Sequence, residues 1–376
     1  MPSRMVVRSF LFCLSLALSI VLAFSPAKVV GAERPWLFVS LLQERKIVSF
    51  ERNELTGELT RRAVTSCPAE PAIMTLSPSG KFLFASLRSS GQLASFRIDA
   101  KTGELTLLGV AAGGADPAFL LADRQGRFLL SAYYEANQVC VHTIDVEGKL
   151  SPQPIQTIPT AEKAHGIALD SSNRIALVPH TGGNRIDQFF FDAGTGRLRS
   201  ADPPYTATPL EYHPRHIAIH PNDRWAYANN EAGDSLTFYT LDLRTARLQP
   251  VQTVKSIPDQ FDGQRNATAR CEMTRDGRFV YVANRGHDSI AGYAVDPATG
   301  RLTSLGQTST EKTPRSLTID ARARFLYAAG QESGRIAAYR ILMHGQLERF
   351  ATYDAGPVAW CVLAADLPVD ETISSR

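Results

Sequence analysis

A short turn returns seven times along this chain, and no other feature narrows its possible folds so far. It reads "LTGELT" at Leu55–Thr60 and comes back as "KTGELT", "VEGKLS", "GTGRLR", "RTARLQ", "ATGRLT" and "MHGQLE". Its third residue is Gly57, Gly103, Gly148, Gly196, Ala246, Gly300 and Gly345, at intervals of 46, 45, 48, 50, 54 and 45 residues. A second marker keeps step with it: a basic residue followed by an apolar one, at Lys81, Arg127, Arg174, Arg224, Arg278 and Arg324. Short apolar runs and polar turns alternate between the markers. Each unit therefore reads as strand, tight turn, strand, polar loop, strand, glycine turn, strand. Four short strands per unit of this length describe a propeller blade, and a blade that cannot bury both its faces must stack on its neighbours. The expected fold is all-β, a seven-bladed β-propeller of four-stranded blades.

Seven glycine turns meet only six complete inner hairpins. The mature chain starts mid-blade with "PWLFVSLLQERKIVSF" and ends on "GPVAWCVLAAD", which has the form of a first strand alone. The last blade is expected to be closed by both chain ends, which leaves no unpaired sheet edge. Such rings serve enzymes, binding modules and scaffolds alike, so the fold decides no function.

Residues 1–32 are set apart by their composition. Arg4 and Arg8 precede the apolar run Ser9 to Phe24, and Val30 and Ala32 stand where a signal peptidase reads small residues. The run is shorter than the roughly 20 residues of a membrane span. The expectation is a signal peptide over 1–32, a propeller domain over 33–368 and a C-terminal tail over 369–376. The product would be periplasmic or secreted, with no transmembrane domain after cleavage. Of the 40 basic residues, Arg4, Arg8 and Lys28 leave with the signal, so 37 basic face 37 acidic residues. A balanced charge offers no footprint for nucleic acid. Cys67, Cys140, Cys271 and Cys361 lie far apart, without a CxxC or a histidine at ligand spacing, and beside strand-like runs. Buried thiols and no metal site are expected.

Aligning the units on the basic-apolar marker uses the repeat as its own control. In the hairpin "YHPRHIAIHPNDRWAYANNE", Tyr212 to Glu231, His220 aligns with Ser77, Asp123, Asp170, Thr274 and Asp320. All of these accept a turn hydrogen bond, so His220 is a turn residue, and Arg224 belongs to the marker itself. Arg215 aligns instead with Ala72, Ala118, His165, Ala269, Arg315 and Val358. Glu231 aligns with Leu42 or Gln43, Arg88, Tyr134, Thr181, Arg285 and Gln331. Both positions vary in chemistry from blade to blade, and both fall at the same end of the inner hairpin. His165, Arg215, Glu231, Arg285, Arg315, Arg88, Tyr134 and Gln331 should therefore ring one mouth of a central channel, with four arginines and one carboxylate. Strand alternation turns His216 away from Arg215, toward a neighbouring blade, where a core role and a site role are both open. His180 ends a strand near the same mouth, and His213 falls in the preceding loop.

The segments "HPRHIAIHPNDRWAYANNE", "DGRFVYVANRGHDSIAGYAVDPATGRLT", "TPRSLTIDARARFLYAAGQ" and "GPVAWCV" resemble the seven-bladed propeller lactonases. That family includes 6-phosphogluconolactonases of one bacterial type and the fungal carboxy-cis,cis-muconate lactonizing enzymes. The resemblance implies a catalytic set of His165, Arg215, Glu231 and Arg285; the blade alignment itself adds Arg315, Arg88, Tyr134, Gln331 and His216 as candidate substrate-binding residues. It departs at "TARCEMTRDG", where Arg270 stands in place of a common Glu and Glu272 in place of a His or small residue. That difference bears on the substrate more than on the fold.

Opening a lactone requires a nucleophile, stabilisation of the carbonyl oxyanion and a proton for the leaving alkoxide. Glu231 or His165 is expected to act as general base or acid, burial bringing either pKa toward working pH. The arginines serve electrostatically, holding a substrate anion or offsetting oxyanion charge. The expected activity is metal-free, cofactor-free hydrolysis or reversible cyclisation of an anionic lactone, a sugar-acid lactone in the first place, by a monomer. The competing expectation is a non-catalytic exported propeller that binds an anionic ligand or a protein. "YVANRGHDSI" is similar to the repeats of surface-layer propellers. A module that binds anions alone has no need of the Glu231 and His165 pair.

Overall fold

The glycine turn and the basic-apolar marker are two halves of one contact. In the computed structural model, which describes residues 1, 33–261, 263 and 265–368, each turn glycine has positive φ, from +73° at Gly103 to +86° at Gly148. Only glycine enters that region without steric cost. A second reason is room. A Cβ added to Gly57 would fall 2.5 Å from the Phe325 ring, and one on Gly103 would fall 2.2 Å from Trp36. The turn of each blade thus seats the marker ring of the blade before it. Trp36 supplies the seventh marker, which the basic-apolar pattern does not register because Pro35 precedes it. At Ala246 (φ +61°) the residue in the matching place is aliphatic, Ile175, and both sit in one buried cluster. A smaller partner leaves space for a methyl group.

All described elements are strands, arranged in seven antiparallel four-stranded sheets. Blade 1 spans 71–112, blade 2 117–159, blade 3 168–207, blade 4 214–255, blade 5 267–309 and blade 6 314–354. Blade 7 joins the two ends of the propeller. Its innermost strand, Ala359–Pro368, pairs antiparallel with Glu33–Leu41, as the half-blades of the sequence require. Arg52, buried in this blade, reaches Asp366 of the closing strand and Asp320 of blade 6, the latter at 3.5 Å. The hydrophobic core lies between blades. Seven buried clusters each draw on two adjacent sheets, such as Trp36 with Leu83 and Phe96, or Phe128 with Val178 and Phe191. Each fully buried aromatic contributes about 1.5–3 kcal/mol. The four cysteines described are free and buried. The expected signal peptide and C-terminal tail lie outside the described residues.

Candidate active site

The inner strand of each blade begins at the face to which the second strand returns. In blade 4, Pro214 pairs with Asn230, and in blade 6, Pro314 pairs with Gly330. Arg215 and Glu231, or Arg315 and Gln331, therefore share one mouth, as the repeat alignment requires.

Each innermost strand also carries one residue too many at this level. Pro214 pairs with Asn230 but His216 with Asn229, so Arg215 is extra. Ala118, Arg315 and Trp360 are extra in the same way. Similar shifts fall between Pro71 and Met74, between Thr268 and Cys271, and between the Ala164–His180 bridge and Ala168. Such a bulge breaks the alternation of faces and re-aims side chains. Two expectations change as a result. His216 does not turn away from Arg215: its Nδ1 lies 3.4 Å from Arg215 Nη1, and its ring stands edge-on to His165 at 5.2 Å. Trp360, and not Val358, is the blade 7 counterpart of Arg215. Val358 has φ +53° and matches His213 (φ +55°) in the connecting loop.

Around this ring the charges interlock. The Arg285 guanidinium donates to Glu231 Oε1 and to the Thr268 carbonyl, and Arg215 Nε lies 3.5 Å from the same carboxylate oxygen. His165 sits between Tyr134, edge-on at 5.6 Å, and His216. Gly166 permits that approach, because a Cβ there would lie 2.8 Å from the Arg215 carbonyl oxygen. Arg315 Cζ lies 3.7 Å from the Trp360 ring centroid, a cation–π contact, and Arg315 has no carboxylate ion-pair partner among the described residues. Arg88 approaches the same ring at 4.9 Å and pairs with Asp116 at 2.6 Å. Arg270 lies over Phe119 at 5.0 Å, with its Nε 2.7 Å from Glu272. At the bottom, His165, Arg215, His216, Arg270, Arg315 and Trp360 help to enclose about 10 Å³, the space of roughly one water.

The ionisation of the pair differs from the expected pattern. Burial, followed by Arg215 and Arg315, holds His165 well below the ordinary histidine value, and His216 is held down by burial, Arg215 and Arg270. Both are neutral at pH 7. Burial pushes the Glu231 carboxyl up, but Arg215 and Arg285 together outweigh it and leave its pKa lowered. Neither group moves toward neutrality, so both stand in their proton-accepting forms. Burial brings Arg215 down to about 9, still charged at neutral pH. Among the described residues, the buried side-chain atoms of this shell without a hydrogen-bond partner include His165 Nδ1, His216 Nε2 and Arg215 Nε.

Other expectations resolve individually. His220 Nδ1 accepts from the Asn222 amide, a turn role, while at the equivalent place Asp170 and Asp320 each accept two turn amides and Asp123 accepts three. His180 ends its strand at the mouth, yet it is fully buried within blade 3, 3.6 Å from Asp187. Gln331 lines a shallow groove with Glu332, Ser333 and Pro357, apart from the enclosed floor. The carboxylate at the mouth is not alone, since Asp116 holds Arg88 there. Trp360, Asp116 and Phe119 were missed by residue-type reasoning. For Trp360, a tryptophan in the closing segment "GPVAWCV" was the available signal. Among the described residues no three His, Cys, Asp or Glu side chains gather as a ligand set.

Residues 37–364 match the family model described as lactonase, 7-bladed beta-propeller. A 6-phosphogluconolactonase of Pectobacterium carotovorum is 35% identical over 217 residues, which cover 57% of this chain and 65% of that protein. The 6-phosphogluconolactonase of Bacillus subtilis is 38% identical over 127 residues, covering 34% of this chain and 36% of the relative. The chain thus spans just under two thirds of the first relative's length. Among solved structures, the periplasmic gluconolactonase of Pseudomonas aeruginosa superposes with a TM-score of 0.81 at 22% identity, over 89% of this chain and 100% of that one. At that identity the likeness is one of fold.

Proposed function

The chain belongs to the seven-bladed β-propeller lactonase family, and on that premise we propose that it hydrolyses an anionic sugar-acid lactone without a metal ion. The observation that carries this reading is the water-sized enclosure beneath the mouth, bounded by a neutral histidine and several guanidinium groups. A water held there lies beside His165, whose neutral imidazole accepts its proton as oxygen attacks the lactone carbonyl. Arg215 and Arg315, facing the same enclosure, stabilise the oxyanion as it forms. The imidazolium then returns its proton to the ring oxygen as the alkoxide departs. Glu231 is held ionised by two arginines and serves to fix Arg215 and Arg285 in place, in contrast to an acid-base role.

The substrate carries negative charge of its own. Arg88, Arg215, Arg270, Arg285 and Arg315 surround the site, against the carboxylates Asp116, Glu231 and Glu272. The excess is two positive charges, matching a phosphate or a second carboxylate on a sugar-acid lactone. The relatives named 6-phosphogluconolactonase support the first. Residues 1–32 are read as an export signal, which favours a non-phosphorylated acid. N-terminal sequencing of the protein recovered from cell fractions tests the export reading.

Turnover decides between enzyme and binding module. The purified protein should hydrolyse a panel of aldonic, aldaric and 6-phosphorylated sugar lactones, with charged members preferred to gluconolactone and with chelator making no difference. Binding of these lactones without turnover would instead favour the non-catalytic propeller.

A further inference from the structure

The floor of the funnel has a second side. Below it, around the propeller axis, lies another cavity of about 320 Å³, formed by the inner strands of blades 2 to 5. His216 and Arg270 line both spaces, and Phe119, which lies against both of them, helps to roof the lower one. Arg124 stands at the other end. It follows the inner strand Pro117–Ala122, which starts at the funnel mouth, and it is exposed, so the cavity opens on the opposite face of the ring. Leu121, Ala168, Ala218, Ile219 and Met273 supply the aliphatic part of the walls between.

The blade repeat separates this lining from the fold. One residue after the turn acceptor the blades carry Pro78, Arg124, Ser171, Pro221, Arg275 and Ala321, and two residues before it Thr75, Leu121, Ala168, Ala218, Glu272 and Thr318. Neither position keeps its chemistry, so neither serves the turn alone. Glu272 is already paired, since Arg270 directs both Nε and Nη2 to its Oε1. Arg124 is not. Its Nε and Nη2 donate to the Asp170 and Leu169 carbonyls at 3.3 and 2.8 Å, which hold the guanidinium between blades 2 and 3 without offsetting its charge. No carboxylate among the described residues pairs with it, and these two bonds leave part of its donor fork free. With His216 neutral, Arg124 and Arg270 face Glu272 alone, so the lining carries one excess positive charge.

A cation has to leave water for a positive lining, and a neutral molecule forgoes the attraction between opposite charges. A carboxylate matches the guanidinium fork, while a hydrocarbon body attached to it displaces water from the aliphatic walls. We propose that this lower cavity is a second binding site, which takes a compact organic monoanion with one carboxylate on an aliphatic body. The carboxylate rests on Arg124 at the rim. The body lies inward, beside Leu121, Ala168 and Ala218, and Glu272 on the blade 5 wall keeps the anionic end from turning toward the roof. The space admits about a dozen non-hydrogen atoms at interior packing density. The site opens away from the proposed lactone site, and its existence does not depend on that reading.

Cyclohexanecarboxylate is a suitable probe, with cyclohexylmethanol and cyclohexylmethylammonium as controls of the same shape. Calorimetric titration of the full protein at low ionic strength should show saturable binding of the carboxylate, with either control at least about fivefold weaker. The funnel arginines also attract carboxylates, so variants assign the site. Arg124→Gln should weaken binding at least about fivefold and Arg124→Lys by less, because it keeps the charge, while Arg315→Gln in the funnel should leave it unchanged. Ala218→Phe fills the cavity from its lining and should abolish the response. Ala168→Phe does the same from blade 3, so that loss of fold in one variant leaves the other to decide. Absence of saturable binding by the carboxylate overturns the proposal, as does equal binding of the alcohol. Binding that is lost with Arg315 and kept without Arg124 places the anion in the funnel and overturns it too. A response that survives in a folded cavity-filling variant does the same.

Discussion

Arg285 of blade 5 donates to Glu231 of blade 4, and the same carboxylate oxygen lies 3.5 Å from Arg215 Nε. One carboxylate therefore orders two guanidinium groups that reach the mouth from different strands, and it does so while remaining ionised.

Glu231→Gln removes the charge but not the shape. Arg215 and Arg285 then repel each other without compensation, and both lose their fixed geometry. The proposed lactonase kcat/KM should fall roughly 10²–10³-fold, the scale of losing a preorganised oxyanion donor. Thermal unfolding should show a loss of about 1–3 kcal/mol, the cost of leaving buried polar groups unsatisfied. Unchanged turnover would remove Glu231 from the machinery.

Arg315 lies on Trp360 at 3.7 Å without a carboxylate of its own, which leaves its charge available to a substrate anion. Arg315→Lys retains the charge but loses the planar guanidinium and its fork. Its KM for a charged lactone should rise about tenfold, or roughly 1.4 kcal/mol, with a smaller effect on a neutral lactone. Steady-state kinetics on the matched pair would show the difference, and equal effects on both lactones would place Arg315 outside anion recognition.

Buried histidines set the acid limb of stability. His165 and His216 are held well below 6.5 in the folded protein, and burial brings His180 down to about 4. In the unfolded chain each takes up a proton near 6.5, so below that pH the unfolded state binds more protons than the native one. Stability must then fall as pH falls, by about 1.4 kcal/mol per pH unit for each such histidine. For His180 the window runs from 6.5 down to about 4. Calorimetric unfolding of His180→Phe across this window should have a shallower slope than the parent, by about one histidine's share.

The interblade contact supplies a packing test. Ile175→Phe introduces an aromatic ring opposite Ala246, where other blades place glycine, and should cost about 1–3 kcal/mol through overpacking. Ala246→Gly in the same chain should recover part of that loss, as the other blades pair ring with glycine. A double-mutant cycle by denaturant unfolding measures the coupling, and strict additivity would mean that the two positions do not touch.

Much of this protein is determined by residue chemistry that acts over a few positions. A turn needing positive φ calls for glycine wherever it recurs, so the number of blades, their strand order and the closure by both ends are legible in the chain itself. The same repetition separates Arg215, Glu231, His165 and Arg285 from residues such as His220, because a position that serves only the backbone keeps its chemistry in every blade. What the tertiary structure alone decides is where the inner side chains point. A bulge is a difference in length between two paired strands, and neither strand carries it by itself. That difference brings His216 beside Arg215 and His165, puts Trp360 beneath Arg315, and sets Arg270 into the floor. The ionisation of the site is likewise collective. Burial raises Glu231 while arginines from separate strands lower it, and the sign of the sum depends on distances that exist only once the ring has closed.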